Sequence, residues 1–242
     1  MSQLHTYSKQ LLTCTTEEQG KQAIFGLMGL YTQLLGIPMP EMYQPTLEAA
    51  HCLIDFNRTI KFIQGLHRAI EDKRREYPDQ TINIFEAGCG PYATLVTCFT
   101  TIYSSEQVKF FLTDINSDAL DKVNELYTKL GITDYLIDTI HADCTTYQLP
   151  DIKFHIFISE TLDAGMEDQP QIPIMINILP QIGADVIFIP QNIVLTVSDD
   201  GILTTRIKVY GDIIIEPETS IVTRNLVYTD TIHYKQLNNQ TT

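Results

Sequence analysis

The chain of 242 residues is 44% hydrophobic, enough to bury one full α/β core with length left for appendages. Its 30 acidic and 16 basic residues leave a formal charge of −14, which repels a phosphate backbone and argues against nucleic acid as a partner, while a cationic substrate would be drawn in. The five cysteines (Cys14, Cys52, Cys89, Cys98 and Cys144) are scattered and free of CxxC spacing, which points to reduced, buried thiols and away from disulfides or a metal site. The start of the chain shows no charged-then-apolar signal pattern, and no apolar run approaches membrane-spanning length, so a cytoplasmic protein with no membrane partner is expected.

Thr16-Glu17-Glu18 opens an apolar-periodic helix to about Leu35, which Gly36-Ile37-Pro38-Met39-Pro40 ends. A second helix is expected from Thr46 to about Tyr77, with Leu47, Leu53, Phe62, Leu66 and Ile70 at helical spacing, Gly65 as a bend and Pro78 as terminator. Strands and helices then alternate: strand 82–87, helix 92–103, strand 108–114, helix 117–130, strand 136–141, strand 154–159, helix 169–180, strand 185–189. That alternation predicts a Rossmann-like parallel sheet with helices on both faces. Beyond Pro190 the runs 193–197, 202–210, 213–215 and 221–228, with Asp199-Asp200-Gly201 as a turn, predict antiparallel hairpins. The organisation expected is a helical cap over 1–78, a cofactor-binding core over 79–190 and a short β-rich region over 191–242 that faces the substrate.

The run Ile82 to Gly90 ends in Glu86-Ala87-Gly88-Cys89-Gly90, and the next strand ends at Asp114. Gly88 and Gly90 let the backbone turn sharply and approach a ligand, and a carboxylate at the tip of the next strand can accept both hydroxyls of a ribose. A dinucleotide fingerprint needs a third glycine beneath the pyrophosphate; here Pro91-Tyr92-Ala93 follows Gly90. S-adenosylmethionine carries no phosphate and makes no such demand.

These residues, with His141-Ala142-Asp143 and the strand Phe154 to Ser159 followed by Glu160, fall in the order of motifs in class I S-adenosylmethionine-dependent methyltransferases. Within that class the chain resembles the protein arginine methyltransferase family. Asp55-Phe56-Asn57-Arg58-Thr59 matches its Asp-x-x-Arg-Thr helix, and Ser159-Glu160 matches the start of its double-glutamate loop. Leu179 to Pro190 matches the Leu-Pro-x-x-Gly...Pro stretch before its barrel. Thr231-Ile232-His233-Tyr234-Lys235-Gln236 is similar to its Thr-His-Trp-Lys-Gln loop. The match runs between residues 50 and 236, with three departures. Tyr92 stands where the family usually has glycine, Gln169 aligns with the second loop glutamate, and Tyr234 replaces a tryptophan.

The resemblance implies S-adenosylmethionine as cofactor, held by Arg58, Glu86, Gly88, Gly90, Asp114 and Asp143. It assigns Arg58 to the methionyl carboxylate, which a guanidinium binds bidentately, and Asp143 to the adenine amino group. Glu160 is the expected catalytic carboxylate, with Glu167 and His233 as further catalytic candidates and Asp163 and Gln169 on the substrate side. Taken singly, Glu86 and Asp114 read as ordinary strand-end carboxylates, Asp143 as a solvated loop residue, and the acidic run around Asp163, Glu167 and Asp168 as a solvated loop. His141 and His155 read as structural. The acceptor expected is arginine or another guanidino or amino compound, a small molecule ahead of a protein because residues 191–242 are few beside the family's barrel; a homodimer is allowed for. The alternatives are a methyltransferase of an unrelated small metabolite and a non-catalytic cofactor-binding interaction protein.

Overall fold

The computed structural model describes residues 2–36, 52–166 and 169–227. Five strands, β1 (Ile82–Ala87), β2 (Val108–Asp114), β3 (Leu136–His141), β4 (Ile156–Ser159) and β5 (Ile187–Ile189), pair in parallel in the order β3-β2-β1-β4-β5. The chain steps outward from β1 through β3 and then returns to β4 beside β1. That reversal opens a crevice beyond the carboxyl ends of β1 and β4, the place where open α/β sheets bind ligands. The alternation of side chains along a strand divides β1 and β2 between two apolar clusters. Ile84, Phe110 and Leu112 enter the larger one with the N-terminal helices, and Phe85, Phe111 and Phe157 the smaller one with Ile174 and Ile178.

The helices are α1 (Ser2–Thr13), α2 (Glu17–Leu35), α3 (Phe56–Glu76), α4 (Thr94–Thr97), α5 (Ser117–Leu130) and α6 (Gln171–Ile178). Helix α1 lies outside the sequence expectation; its short stripe of Leu4, Ser8 and Leu11 is too polar to announce itself. Helix α2 matches its expected span, with Thr16 accepting from the Gln19 amide and Gly36 left-handed at its end. Residues 46–51 of the second expected helix lie outside the described residues; from Cys52 a 3₁₀ turn leads to Asp55, which caps α3. The helix continues through Gly65, where a Cβ would fall 2.7 Å from Val209 Cγ1, so this glycine marks a close approach and not the expected bend.

Other boundaries move for local reasons. The helix expected over 92–103 begins only at Thr94, because the chain leaves Gly90 through Pro91 and a left-handed Ala93 (φ 41°), and it tightens to 3₁₀ at Cys98. Strands β4 and β5 start two residues later than expected, at Ile156 and Ile187, and α6 runs only from Gln171 to Ile178 before a 3₁₀ turn.

Past the sheet, β6 (Asn192–Val197), β7 (Ile202–Tyr210), β8 (Ile213–Ile215) and β9 (Leu226–Val227) form an antiparallel sheet centred on β7. The strand expected over 221–228 is instead a 3₁₀ turn, Ile221–Thr223, followed by the two residues of β9. This sheet lies on α3, where Tyr210 donates to Asp72 Oδ2 at 2.6 Å and Arg68 pairs with Asp212. Among the described residues no helix is long and apolar enough to cross a membrane. Cys14, Cys89, Cys98 and Cys144 are free thiols, all pushed up by burial, while the Cys52 side chain lies outside the described residues.

Candidate functional site

The tip of β1 is folded tightly against the tip of β2. Thr113 O accepts from the Gly88 amide at 2.9 Å and the Cys89 amide at 3.0 Å, and Asp114 Oδ2 accepts from the Gly90 amide at 2.8 Å. Both glycines have positive φ, +75° at Gly88 and +63° at Gly90. A Cβ on Gly88 would lie 2.6 Å from Thr161 Cγ2, so the loop after β4 passes directly over it. Asp114 Oδ1 accepts from the Asn116 amide at 2.8 Å, and Asn116 caps α5. The Asp114 carboxylate is thereby fixed by two backbone donors at the rim of the crevice.

Helix α3 brings in the cation. Asp55 Oδ1 accepts from the Arg58 amide at 3.4 Å, and Arg58 Nη1 lies 3.0 Å from Glu160 Oε1, at the end of β4. Arg58 is 5% exposed, so this ion pair is largely withdrawn from water. No aligned hydrogen bond among the described residues reaches Glu160 Oε1, and the contact is one of charge.

Arg58, Glu86, Gly88, Gly90 and Asp114 line one cavity of about 370 Å³, together with Asp143, Glu160 and Gln169. The cavity is of the size of a small-molecule site. Asp143 sits in an exposed turn, its Oδ1 accepting from the Thr145 amide and hydroxyl at 2.9 and 2.7 Å, which holds its carboxyl below the usual range. Asp163 is outside the lining; its Oδ1 accepts from the Gln169 amide at 3.4 Å and closes the loop that carries Gln169. Glu167 and His233 lie outside the described residues. His141 is exposed and its Nε2 meets Ile115 O at 2.9 Å, while the buried His155 Nδ1 accepts from the Asn83 amide at 3.0 Å; both serve the framework.

Ile115 and Thr161 line the cavity outside the motifs, and Tyr92 lines it as a departure from them. Ile115 follows Asp114 and is 69% exposed, a β-branched apolar surface at the mouth suited to the face of a flat ring. Thr161 and the buried Tyr92 complete the walls, and Tyr92 packs on Tyr31 of α2 with centroids 5.1 Å apart. The signal for Ile115 was an apolar residue in a polar loop directly after the acidic tip. Tyr92 fills the position of the missing glycine with a side chain that reaches the N-terminal helices, which no local pattern could show.

The described lining sets four carboxylates, Glu86, Asp114, Asp143 and Glu160, against one cation, Arg58. Burial, with Asp114 and Glu160 nearby, raises the Glu86 carboxyl well above its ordinary range, and its buried Oε2 has no donor among the described residues. Glu160 is pushed up to about 7 by burial, against the opposing pull of Arg58. An orphaned carboxylate oxygen is costly, and a donor or cationic group in the cavity would satisfy it. The chemistry of these groups fits S-adenosylmethionine: a buried guanidinium, buried acidic acceptors, a glycine cradle and a carboxylate at the tip of β2.

No protein-family model and no curated protein sequence matches the chain. Solved structures that resemble it include a SAM-dependent methyltransferase from Aquifex aeolicus (15% identity, TM-score 0.28, 37% of this chain and 46% of that one). The SAH-bound methyltransferase PaMTH1 of Podospora anserina follows (12%, 0.43, 66% and 59%), as does a mutant of MtNAS in complex with S-adenosylmethionine (12%, 0.40, 87% and 88%). The similarity to YjhP of E. coli likewise spans under half of that chain, 46%, at a TM-score of 0.35. With identities this low and TM-scores below 0.5, the chemistry of this chain is read from its own residues.

Proposed function

We propose that the chain is an S-adenosylmethionine-dependent N-methyltransferase, similar to protein arginine methyltransferases, that acts on a guanidino or amino nitrogen of arginine or a related small molecule in the cytoplasm. The observation that carries the reading is a shared cavity at the β1/β4 switch point, where Arg58, Glu86, Gly88, Gly90, Asp114, Asp143 and Glu160 converge from distant parts of the chain. In this reading Arg58 holds the methionyl carboxylate, Asp114 the ribose hydroxyls and Asp143 the adenine amino group. S-adenosylmethionine supplies an activated sulfonium methyl when bound, so the chain's own task is to align an acceptor nitrogen and hold its charge.

Glu160 performs that task. A carboxylate bonded to the acceptor localises positive charge away from the attacking nitrogen and stabilises the cation as transfer proceeds. The excess of lining carboxylates favours a cationic acceptor. Gln169 offers a carbonyl where the resemblance expects a second carboxylate, so it cannot complete a two-charge clamp. Free arginine or a similar metabolite therefore suits the site better than a folded protein. Incubation with methyl-labelled S-adenosylmethionine against free arginine, arginine-containing peptides and a panel of amines, read by mass spectrometry, tests this. Transfer to small guanidino or amino compounds is expected; transfer confined to protein arginines would redirect the acceptor, and cofactor binding without any transfer would favour a binding protein.

A further inference from the structure

The carboxylate that caps α3 also receives the C-terminal unit. Asp55 Oδ2 accepts from Ser220 Oγ at 2.5 Å and from the Ile221 amide at 2.9 Å, across 165 and 166 residues of chain. Asn57 Nδ2 adds contacts to Thr219 O at 2.9 Å and Thr219 Oγ1 at 3.0 Å. Asp55 and Ser220 are 5% and 9% exposed, so water competes weakly for these bonds. The Ser220 hydroxyl is oriented as a donor, because its oxygen also accepts from the Val222 amide at 3.3 Å.

The turn carrying Ser220 is itself held. Glu216 O accepts from Thr223 Oγ1 at 2.9 Å, and the Glu216 carboxylate pairs with Arg206 of β7 through two bonds of 2.8 and 2.9 Å. On the other side of Asp55, Arg58 Nε stands 4.0 Å from the same Oδ2, while Nη1 faces Glu160. The two oxygens of Asp55 thus have separate duties: Oδ1 caps the helix, and Oδ2 is occupied by the C-terminal turn.

We infer that Ser220 is a positioning residue for the cofactor site: by satisfying Asp55 Oδ2, it keeps that carboxylate from drawing Arg58 out of the cavity, and so couples the C-terminal β-unit to cofactor affinity. This rests on the reading of Arg58 as the anchor of the methionyl carboxylate. Without the hydroxyl, Oδ2 keeps the Ile221 amide as its donor among the described residues outside α3, and gains strength as a partner for Arg58 Nε. Arg58 then divides its guanidinium between Asp55 and the cavity.

Calorimetry with S-adenosylmethionine on the full chain tests the coupling. Ser220→Ala should weaken binding about three- to tenfold, the scale of one ordinary hydrogen bond because the effect reaches the cofactor only through Arg58, and Ser220→Thr, which keeps the hydroxyl, should stay within about twofold of the parent. A structural role alone would lower thermal stability without this pattern. The decisive arm is the double change: in an Arg58→Ala background, Ser220→Ala should cost no further affinity, because its effect passes through Arg58. Ser220→Cys, with only a weak donor at similar volume, shifts affinity in the same direction and serves if the alanine variant does not fold. Unchanged affinity in both Ser220→Ala and Ser220→Cys, or full additivity with Arg58→Ala, overturns the coupling and leaves the cofactor assignment standing. Unchanged affinity in Arg58→Ala itself overturns the assignment and the coupling together.

Discussion

Both ends of the parallel sheet bury ionisable groups, and they dispose of them differently. At the amino end, Lys73 is 3% exposed and donates to Glu76 Oε2 at 2.8 Å and to Asp185 O. Tyr77 donates to Asp185 Oδ2 at 2.9 Å, a bond that pushes its phenol up to about 12, and Asn83 donates from its side chain to Lys153 O and from its amide to His155. The cation here is matched by acceptors. Among the described residues of this cluster His155 Nε2 lacks a partner, and burial lowers that ring's pKa. At the carboxyl end, the described lining sets four carboxylates against one guanidinium across a cavity, and among the described residues neither Glu86 Oε2 nor Glu160 Oε1 has a hydrogen-bond donor. A polar cluster that closes on itself ties elements together; one that leaves its costliest group open is arranged for something that enters. Removing a member of the first should change stability and spare binding, and removing a member of the second should do the reverse.

The largest effects are expected at Glu160. Glu160→Gln should lower turnover by on the order of a hundredfold or more with near-normal affinity for S-adenosylmethionine, as measured by steady-state kinetics beside calorimetry. Full activity in this variant would make the residue structural. The pH profile sharpens the point. With the folded carboxyl at about 7, the charged form that the proposed role requires accumulates as pH rises, so kcat/KM should climb through about pH 7 and the glutamine variant should lose that limb. Stability runs the other way. Between the ordinary carboxyl range and about pH 7 the folded chain holds a proton that the unfolded chain has released, so Glu160 makes the fold less stable as pH rises across that window. Thermal melts of the parent and Glu160→Gln at pH 5 and pH 8 would show the difference.

Arg58→Ala comes next. Loss of a charge-assisted contact should weaken S-adenosylmethionine binding by roughly ten- to a hundredfold. Gly88→Ala combines a positive φ with a Cβ 2.6 Å from Thr161, and should cost about 1–3 kcal/mol in stability along with cofactor affinity. Lys73→Ala is the counter-test at the opposite end: it removes a buried side chain and its bonds to Glu76 and Asp185, so a loss of about 1–3 kcal/mol in denaturant unfolding is expected with cofactor affinity unchanged. An affinity loss there would erase the distinction between the two ends. The smallest effect is expected at Ile115→Ser, where an exposed side chain should be lost with no change in melting temperature and only a few-fold loss in affinity.

Much of this was legible because the signals are local. The spans of β1, β2, β3, α2 and α5 follow from period and caps, and Gly88, Gly90 and Asp114 from the strand-turn grammar around them. The misses have the opposite character. A glycine within a helical pattern reads as a bend, because the helix's own residues cannot show that Val209 of β7 presses against Gly65, and Ala93's left-handed backbone shortens the next helix with no warning in its own residue type. Asp55 entered as part of a motif, yet its bonds to Ser220 and Ile221 arise only when residues 165 positions apart meet.

The sequence by itself determined the order of elements, the two-residue and helical periods that sort them, the acidic character of the chain and the residue types at the strand tips. Those depend on neighbours within a few positions. Tertiary structure alone decided that Arg58 faces Glu160, that Glu86 is buried with an oxygen unmet among the described residues, and that Thr161 roofs Gly88. Charge, desolvation and close approach are properties of groups brought together in space, and a linear order of residues carries none of those distances.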